Sequence, residues 1–217
     1  MLDIDAIISM PFDENTYIVR QSGATDCLVV DPGLEPDKIL DFLTEHRLTP
    51  IAILNTHGHS DHIAGNAALK KTYPAAPLII GRGDAEKLTD PQKNLSAAFG
   101  VALISPPADQ LVDEGAVLDL AGIQLEVRDA PGHSSGHVVF VIHDAKVVLG
   151  GDVLFAGSIG RTDFFDGDFG ALRDAIHDKL FTLPGEFVVY PGHGPETTIA
   201  EEIADNPFVG KPAGYKG

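Results

Sequence analysis

A chain of 217 residues, 44% hydrophobic and 22% charged, is long enough to bury one large core. No apolar run approaches the roughly 18 residues that a membrane span needs, and a formal charge of −17 argues against nucleic acid and anionic lipid as partners. The single cysteine, Cys27, excludes an internal disulfide, and the opening Met1-Leu2-Asp3-Ile4-Asp5 lacks the basic start of a secretory signal, so the cytoplasm is the expected compartment.

Short apolar runs bounded by turn residues set the first half. Ile4–Ser9, Asn15–Arg20 and Asp26–Val30 read as strands, the third closed by Asp31-Pro32-Gly33. Asp37–His46 has helical spacing, with Ile39, Leu40 and Leu43 on one face. Ile51–Leu54 reads as a buried strand, Ala64–Tyr73 as a helix and Leu78–Ile80 as a further strand. Pro106–Asp109 reads as a joint between two halves.

The second half repeats the style. Val117–Leu120 and Ile123–Val127 form an expected hairpin around Ala121-Gly122, and Val138–Ile142 and Lys146–Leu149 form another around His143-Asp144-Ala145. Phe169–Leu180 reads as a helix capped by Asp168, Phe187–Tyr190 as the last strand and Thr197–Ala204 as the last helix. Strand groups broken by helices in both halves predict an α/β fold, a four-layer αββα sandwich in one domain over residues 1–217.

The densest chemistry lies in Thr56-His57-Gly58-His59-Ser60-Asp61-His62, where three histidines and a carboxylate follow a predicted strand. Imidazole and carboxylate are ligands for zinc, and equally for iron or manganese. Side chains two apart in extended backbone share a side, so His57 and His59 point together. Asp61 and His62 fall at the turn into the next helix and can aim at a second position nearby. His133, Asp152 and His193 each end a predicted strand and each has glycine or proline beside it, which keeps such a loop open. A carboxylate can bridge two cations, and Asp152 is the natural candidate; two such ions activate one water between them. His46, His143 and His177 have no ligand neighbours in sequence and read as ordinary surface or core residues. Cys27, among Leu28, Val29 and Val30, reads as core.

These motifs resemble those of the metallo-β-lactamase superfamily from about Asn15 to Pro195. The resemblance implies two divalent ions, one on His57, His59 and His133, the other on Asp61, His62 and His193, with Asp152 bridging. Asp61 and Asp152 would then be the catalytic carboxylates, Asp61 also orienting the water. Within the superfamily, Pro131-Gly132-His133-Ser134-Ser135-Gly136-His137 and the segment from Gly151-Asp152 to Arg161-Thr162-Asp163 are similar to glyoxalase II, a thioesterase. That likeness implies a small-molecule thioester such as S-lactoylglutathione, a substrate-binding Arg161, and a His137 that supports the ligands without being one. A guanidinium matches a carboxylate in two contacts, although a surface salt bridge is an equal reading of Arg161. Glyoxalase II carries a C-terminal helical domain and an aromatic residue just after its last ligand histidine. Here Gly194 and Pro195 stand there and Gly217 ends the sequence soon after, so the likeness is to short bacterial relatives. Two rival expectations share much of the same motif: an iron-dependent persulfide dioxygenase, and a lactonase or β-lactamase.

Overall fold

Leu2–Ser9 (β1), Glu14–Gln21 (β2) and Asp26–Val30 (β3) run antiparallel in the computed structural model, which describes Met1–Gly217. Helix Pro36–Glu45 (α1) then crosses to Thr49–Asn55 (β4), parallel to β3. The short helices Ser60–Ile63 (α2) and Asn66–Thr72 (α3) lead to Leu78–Gly81 (β5), and Gln110–Val112 (β6) completes a six-stranded sheet in simple chain order. The second sheet starts with Val117–Leu120 (β7), Ile123–Asp129 (β8), Val138–Ile142 (β9) and Val147–Gly151 (β10), all antiparallel. A small hairpin, Leu154–Phe155 (β11) with Ser158–Ile159 (β12), leads to helix Phe169–Ala175 (α4). Val188–Pro191 (β13) returns parallel to β10, Thr197–Thr198 (β14) pairs with it, and Ile199–Asp205 (α5) follows. The order is β14-β13-β10-β9-β8-β7.

Strand alternation explains the layers. Val19, Leu28 and Leu54 of the first sheet meet Leu125, Phe140 and Leu149 of the second in the central core. The opposite-facing Ile18, Val29 and Ile53 pack under Ile39 and Leu43 of α1 and Leu69 of α3. Val139, Val148 and Val189 pack under Leu172 of α4 and Ile199 of α5. Both faces of each sheet are thus buried, which is why the central strands read as continuous apolar runs. The expected four-layer sandwich is what forms. No helix is long and apolar enough to cross a membrane.

Several boundaries depart from expectation. Pro106–Asp109 is not the joint, because β6 follows it in the first sheet; the chain crosses between sheets after Val112. Ala64–Tyr73 begins only at Asn66, with Gly65 in front of it. Phe169–Leu180 is α-helical to Ala175 and then widens into a π-helical turn, Ile176–Leu180. Thr197 and Thr198 are strand, and Thr198 caps α5 in a reciprocal box with Glu201. The Ala121-Gly122 hairpin is as read, with both residues at positive φ, 54° and 70°.

Candidate metal centre

The site gathers at the edge where β3, β4, β10 and β13 end. Two contacts stitch the sheets together there: Val138 N donates to Thr56 O at 2.8 Å, and Glu14 bridges His193. Asn15 clamps the last loop from the first sheet. Its backbone N donates to Gly192 O at 2.8 Å, and its side-chain amide donates to Pro191 O at 3.0 Å and Gly194 O at 2.8 Å.

All seven sequence-predicted ligands converge. His57 Nε2 lies 3.1 Å from His59 Nδ1, which lies 2.9 Å from His133 Nε2. Two nitrogens held tetrahedrally by one zinc ion stand about 3.3 Å apart, so this triad fits a single cation. The second triad sets Asp61 Oδ2 at 3.7 Å from His62 Nε2 and 3.4 Å from His193 Nε2. Asp152 stands between them. Its Oδ1 is 3.4 Å from His62 Nε2, and its Oδ2 is 3.4 Å from His133 Nε2 and 3.5 Å from His193 Nε2. His62 Nε2 and Asp152 Oδ1 are buried without a hydrogen-bond partner, as atoms reserved for a cation would be.

The outer ring nitrogens decide which nitrogen faces inward. His57 Nδ1 meets Thr56 Oγ1 at 3.1 Å, His62 Nδ1 meets Asp31 Oδ2 at 3.2 Å, His133 Nδ1 meets Arg161 O at 2.8 Å and His193 Nδ1 meets Phe12 O at 3.0 Å. Each leaves Nε2 free to bind, the usual arrangement of ligand histidines. His59 points the other way and presents Nδ1. His137 lies outside the two triads: its Nε2 accepts from Asp152 N at 3.0 Å, and its ring stacks on His57 with centroids 4.7 Å apart.

Two supporting carboxylates escaped the sequence reading. Asp31, at φ 50°, accepts from Thr56 N and Thr56 Oγ1, both at 2.7 Å, besides meeting His62. With both oxygens engaged it holds ligands in place instead of adding one. Its signal was available, since it ends a strand before Pro-Gly like the ligands themselves. Asp84 accepts from Gly58 N and from Gly136 N, both at 2.8 Å, so it ties the first motif to the third-ligand loop. It is buried beside Lys87, which also pairs with Asp166 at 2.6 Å. Nothing in the local sequence marks Asp84; only tertiary folding brings it near.

Electrostatics divide the histidines. Burial, aided by neighbouring imidazoles, pushes His57 and His59 well below the usual value, and burial also lowers His133. Burial would lower His62 too, but Asp152, Asp61 and Asp31 together raise it well above. Burial pushes the Asp61 carboxyl up, yet His62 and His193 outweigh it and hold the group below the ordinary range. His46, His143 and His177 lie elsewhere: His46 stacks on Phe42, His143 pairs with Glu126 and His177 donates to Val209 O.

Arg161 forms the surface salt bridge that was one of its two readings, and it also stands at the cavity. It forks onto Asp163 with two 2.9 Å contacts, and it lines the cavity in front of the triads with its guanidinium 4.7 Å above the Phe164 ring.

Comparison with known proteins agrees with this geometry. The profile of the Metallo-beta-lactamase superfamily matches residues 10–193. A probable metallo-hydrolase, YqgX of Bacillus subtilis, is 38% identical over 92% of this chain and 93% of its own length. The hydroxyacylglutathione hydrolase GloC of Haemophilus influenzae is 34% identical over 96% and 98%. Among solved structures, the BLEG-1 B3 metallo-beta-lactamase superposes with a TM-score of 0.91 at 35% identity, covering 96% of this chain and 99% of that one. TTHA1623 in a di-iron-bound form gives 0.83 at 36% identity, covering 94% and 99%. ETHE1 from Myxococcus xanthus gives 0.80 at 27%, covering 96% and 85%. With the profile spanning most of its length and these relatives aligned nearly end to end, the chain belongs to the metallo-beta-lactamase superfamily.

Proposed function

We propose that the chain is a binuclear metal-dependent hydrolase whose substrate is a thioester, the bond class to which S-lactoylglutathione belongs. The carrying observation is the pair of triads with Asp152 between them. The donor set, three imidazoles on one side and two imidazoles with a carboxylate on the other, suits zinc, iron or manganese. His57, His59 and His133 would hold one ion, Asp61, His62 and His193 the second, and Asp152 both. When bound, the ions supply an activated water and a Lewis acid for the carbonyl oxygen.

The chain's own residues then orient the parts. Asp61, held as a carboxylate by His62 and His193, accepts a hydrogen bond from the attacking water and turns it toward the acyl carbon. Arg161 meets a carboxylate on the substrate at the cavity rim. Outside the ligand set the polar residues lining the cavity are Ser60 and Arg161, a hydroxyl and a guanidinium too weakly acidic to protonate a leaving group at neutral pH. A thiolate, whose acid has a pKa of about 8.5, leaves without a proton far more readily than an alkoxide or an amine. That favours a thioester over an ester or amide, and the likeness to GloC points the same way.

The test is a hydrolysis screen of thioesters, lactones and β-lactams on metal-quantified protein. Two metals per chain and thioester turnover are expected, with turnover and metal content both lost in Asp152→Ala. Wild-type rates in that variant would reject the ligand assignment. The likeness to ETHE1 supports a second reading, a mononuclear iron dioxygenase. One iron per chain, with oxygen uptake on glutathione persulfide, would replace the hydrolase by it.

A further inference from the structure

The cavity in front of the triads, about 450 Å³, has walls that the metal chemistry does not require. At its His193 end, Phe12 and Phe99 pack edge to face with centroids 5.4 Å apart, and Phe155 lies 6.2 Å from the His193 ring. Phe12 and Phe99 remain 40% and 64% exposed, so together they present a contiguous apolar face to the cavity.

This wall is built, and it is tied to the ligands. The Phe12 carbonyl accepts from His193 Nδ1 at 3.0 Å. Phe99 sits on a loop pinned by the fully buried Asn94, whose side chain donates to Lys87 O and Leu103 O, both at 3.0 Å. Asn94 O in turn accepts from Ser60 N at 2.9 Å, one residue before Asp61. The same loop forces Leu95, another wall residue, to φ 70°, a left-handed conformation that leucine adopts only when its surroundings impose it.

The opposite end differs. Phe164 stands 5.1 Å from the His59 ring, and Arg161 above it is the one lysine or arginine lining the cavity, already shared with Asp163. A carrier with two carboxylates finds one partner there, in a chain of net charge −17. A lactoyl group at the His193 end would set a hydroxyl against aromatic carbon.

We infer that the substrate's acyl group is apolar, an alkyl chain of several carbons or an aryl ring, and that Phe12, Phe99 and Phe155 grip it while the carrier lies toward Arg161. The acyl assignment rests on the thioesterase reading above. Burying one methylene strengthens binding about two- to fourfold, so affinity must climb along an acyl series until the wall is filled.

The experiment uses metal-loaded protein in two arms. One arm measures kcat and KM for N-acetylcysteamine thioesters from acetyl to octanoyl, beside S-lactoylglutathione. The other measures, by calorimetry, binding of the matching ketones, in which a methylene replaces the sulfur and nothing can leave. The expected result is a fall in KM and a rise in affinity of about two- to fourfold per methylene, flattened in Phe12→Ala and Phe99→Ala and restored in Phe12→Leu, with metal content constant. Thioester turnover with a flat chain-length profile, or variants that weaken every chain length equally, overturns this inference alone. A steep calorimetric slope with no turnover of any thioester overturns the hydrolase reading, and the acyl assignment with it.

Discussion

An imidazole has two nitrogens, and a cation site needs one of them bare while the other is satisfied. Backbone carbonyls of Phe12 and Arg161, the Thr56 hydroxyl and the Asp31 carboxylate supply that second contact for His193, His133, His57 and His62. His62 shows the consequence most sharply. Burial lowers it, but three carboxylates around it hold it protonated well above the usual imidazole range in the metal-free protein. A cation at Nε2 must expel that proton. His193, also raised because Asp61 and Asp152 outweigh its burial, adds to the count. Zinc uptake at neutral pH is therefore expected to release about one to two protons, read from calorimetry in buffers of different ionisation enthalpy. An enthalpy independent of buffer would contradict it. The sign for stability follows: the raised His62 favours the metal-free fold below the unfolded value near 6.5, and that contribution fades as pH rises through the folded value. Asp31→Asn keeps the size and removes the charge, and should weaken metal binding about 10- to 100-fold, measured by competition with a chelating dye.

Elements that carry ligands are braced by elements that carry none. Asp168 caps α4 through Ala171 N at 2.9 Å, while its own N donates to Gly132 O at 2.8 Å, directly before His133. Gly132 has φ 128°, and a Cβ there would strike the backbone of Leu172 in α4. The start of α4 therefore backs the third-ligand loop. Asp168→Ala should cost about 1 kcal/mol, seen as a lower urea midpoint with unchanged slope. Gly132→Ala adds strain and overlap and should cost at least about 2–4 kcal/mol with loss of metal binding. Unchanged midpoints in both would show that this brace carries no weight. The long runs were legible at this scale because periodicity needs length: β3 has the bounds read from Asp26 to Val30, and α1 lies within a residue of its own. β6, β11, β12 and β14 were not, since two or three residues carry no period. Nor does spacing distinguish 3.6 residues per turn from the wider π turn after Ala175.

Across the whole molecule the ligands come from both sheets. His57, His59, Asp61 and His62 follow β4 of the first, whereas His133, Asp152 and His193 follow strands of the second. Cations there would cross-link the two halves of the sandwich in the native state only. At a free metal concentration about a thousandfold above Kd, one site adds about 4 kcal/mol, which for a chain of this length raises Tm on the order of 10 °C. Thermal unfolding with zinc and with chelator measures this. Equal midpoints would mean that the ions bind without bracing the fold.

Residue types and their order determined much of this protein. Alternation and apolar runs dictated four layers, because a strand buried on both faces has to be apolar throughout. The clustering of His57, His59, Asp61 and His62, with His133, Asp152 and His193 beside glycine or proline, dictated where metal chemistry would sit. Tertiary structure alone decided the rest. It brought Asp31 and Asp84 behind the ligands, chose which imidazole nitrogen each histidine presents, and set Phe12 against Phe99 across 87 positions of chain. The physical reason is that hydrogen-bond partners and cavity walls are contacts between distant segments, which local spacing does not encode.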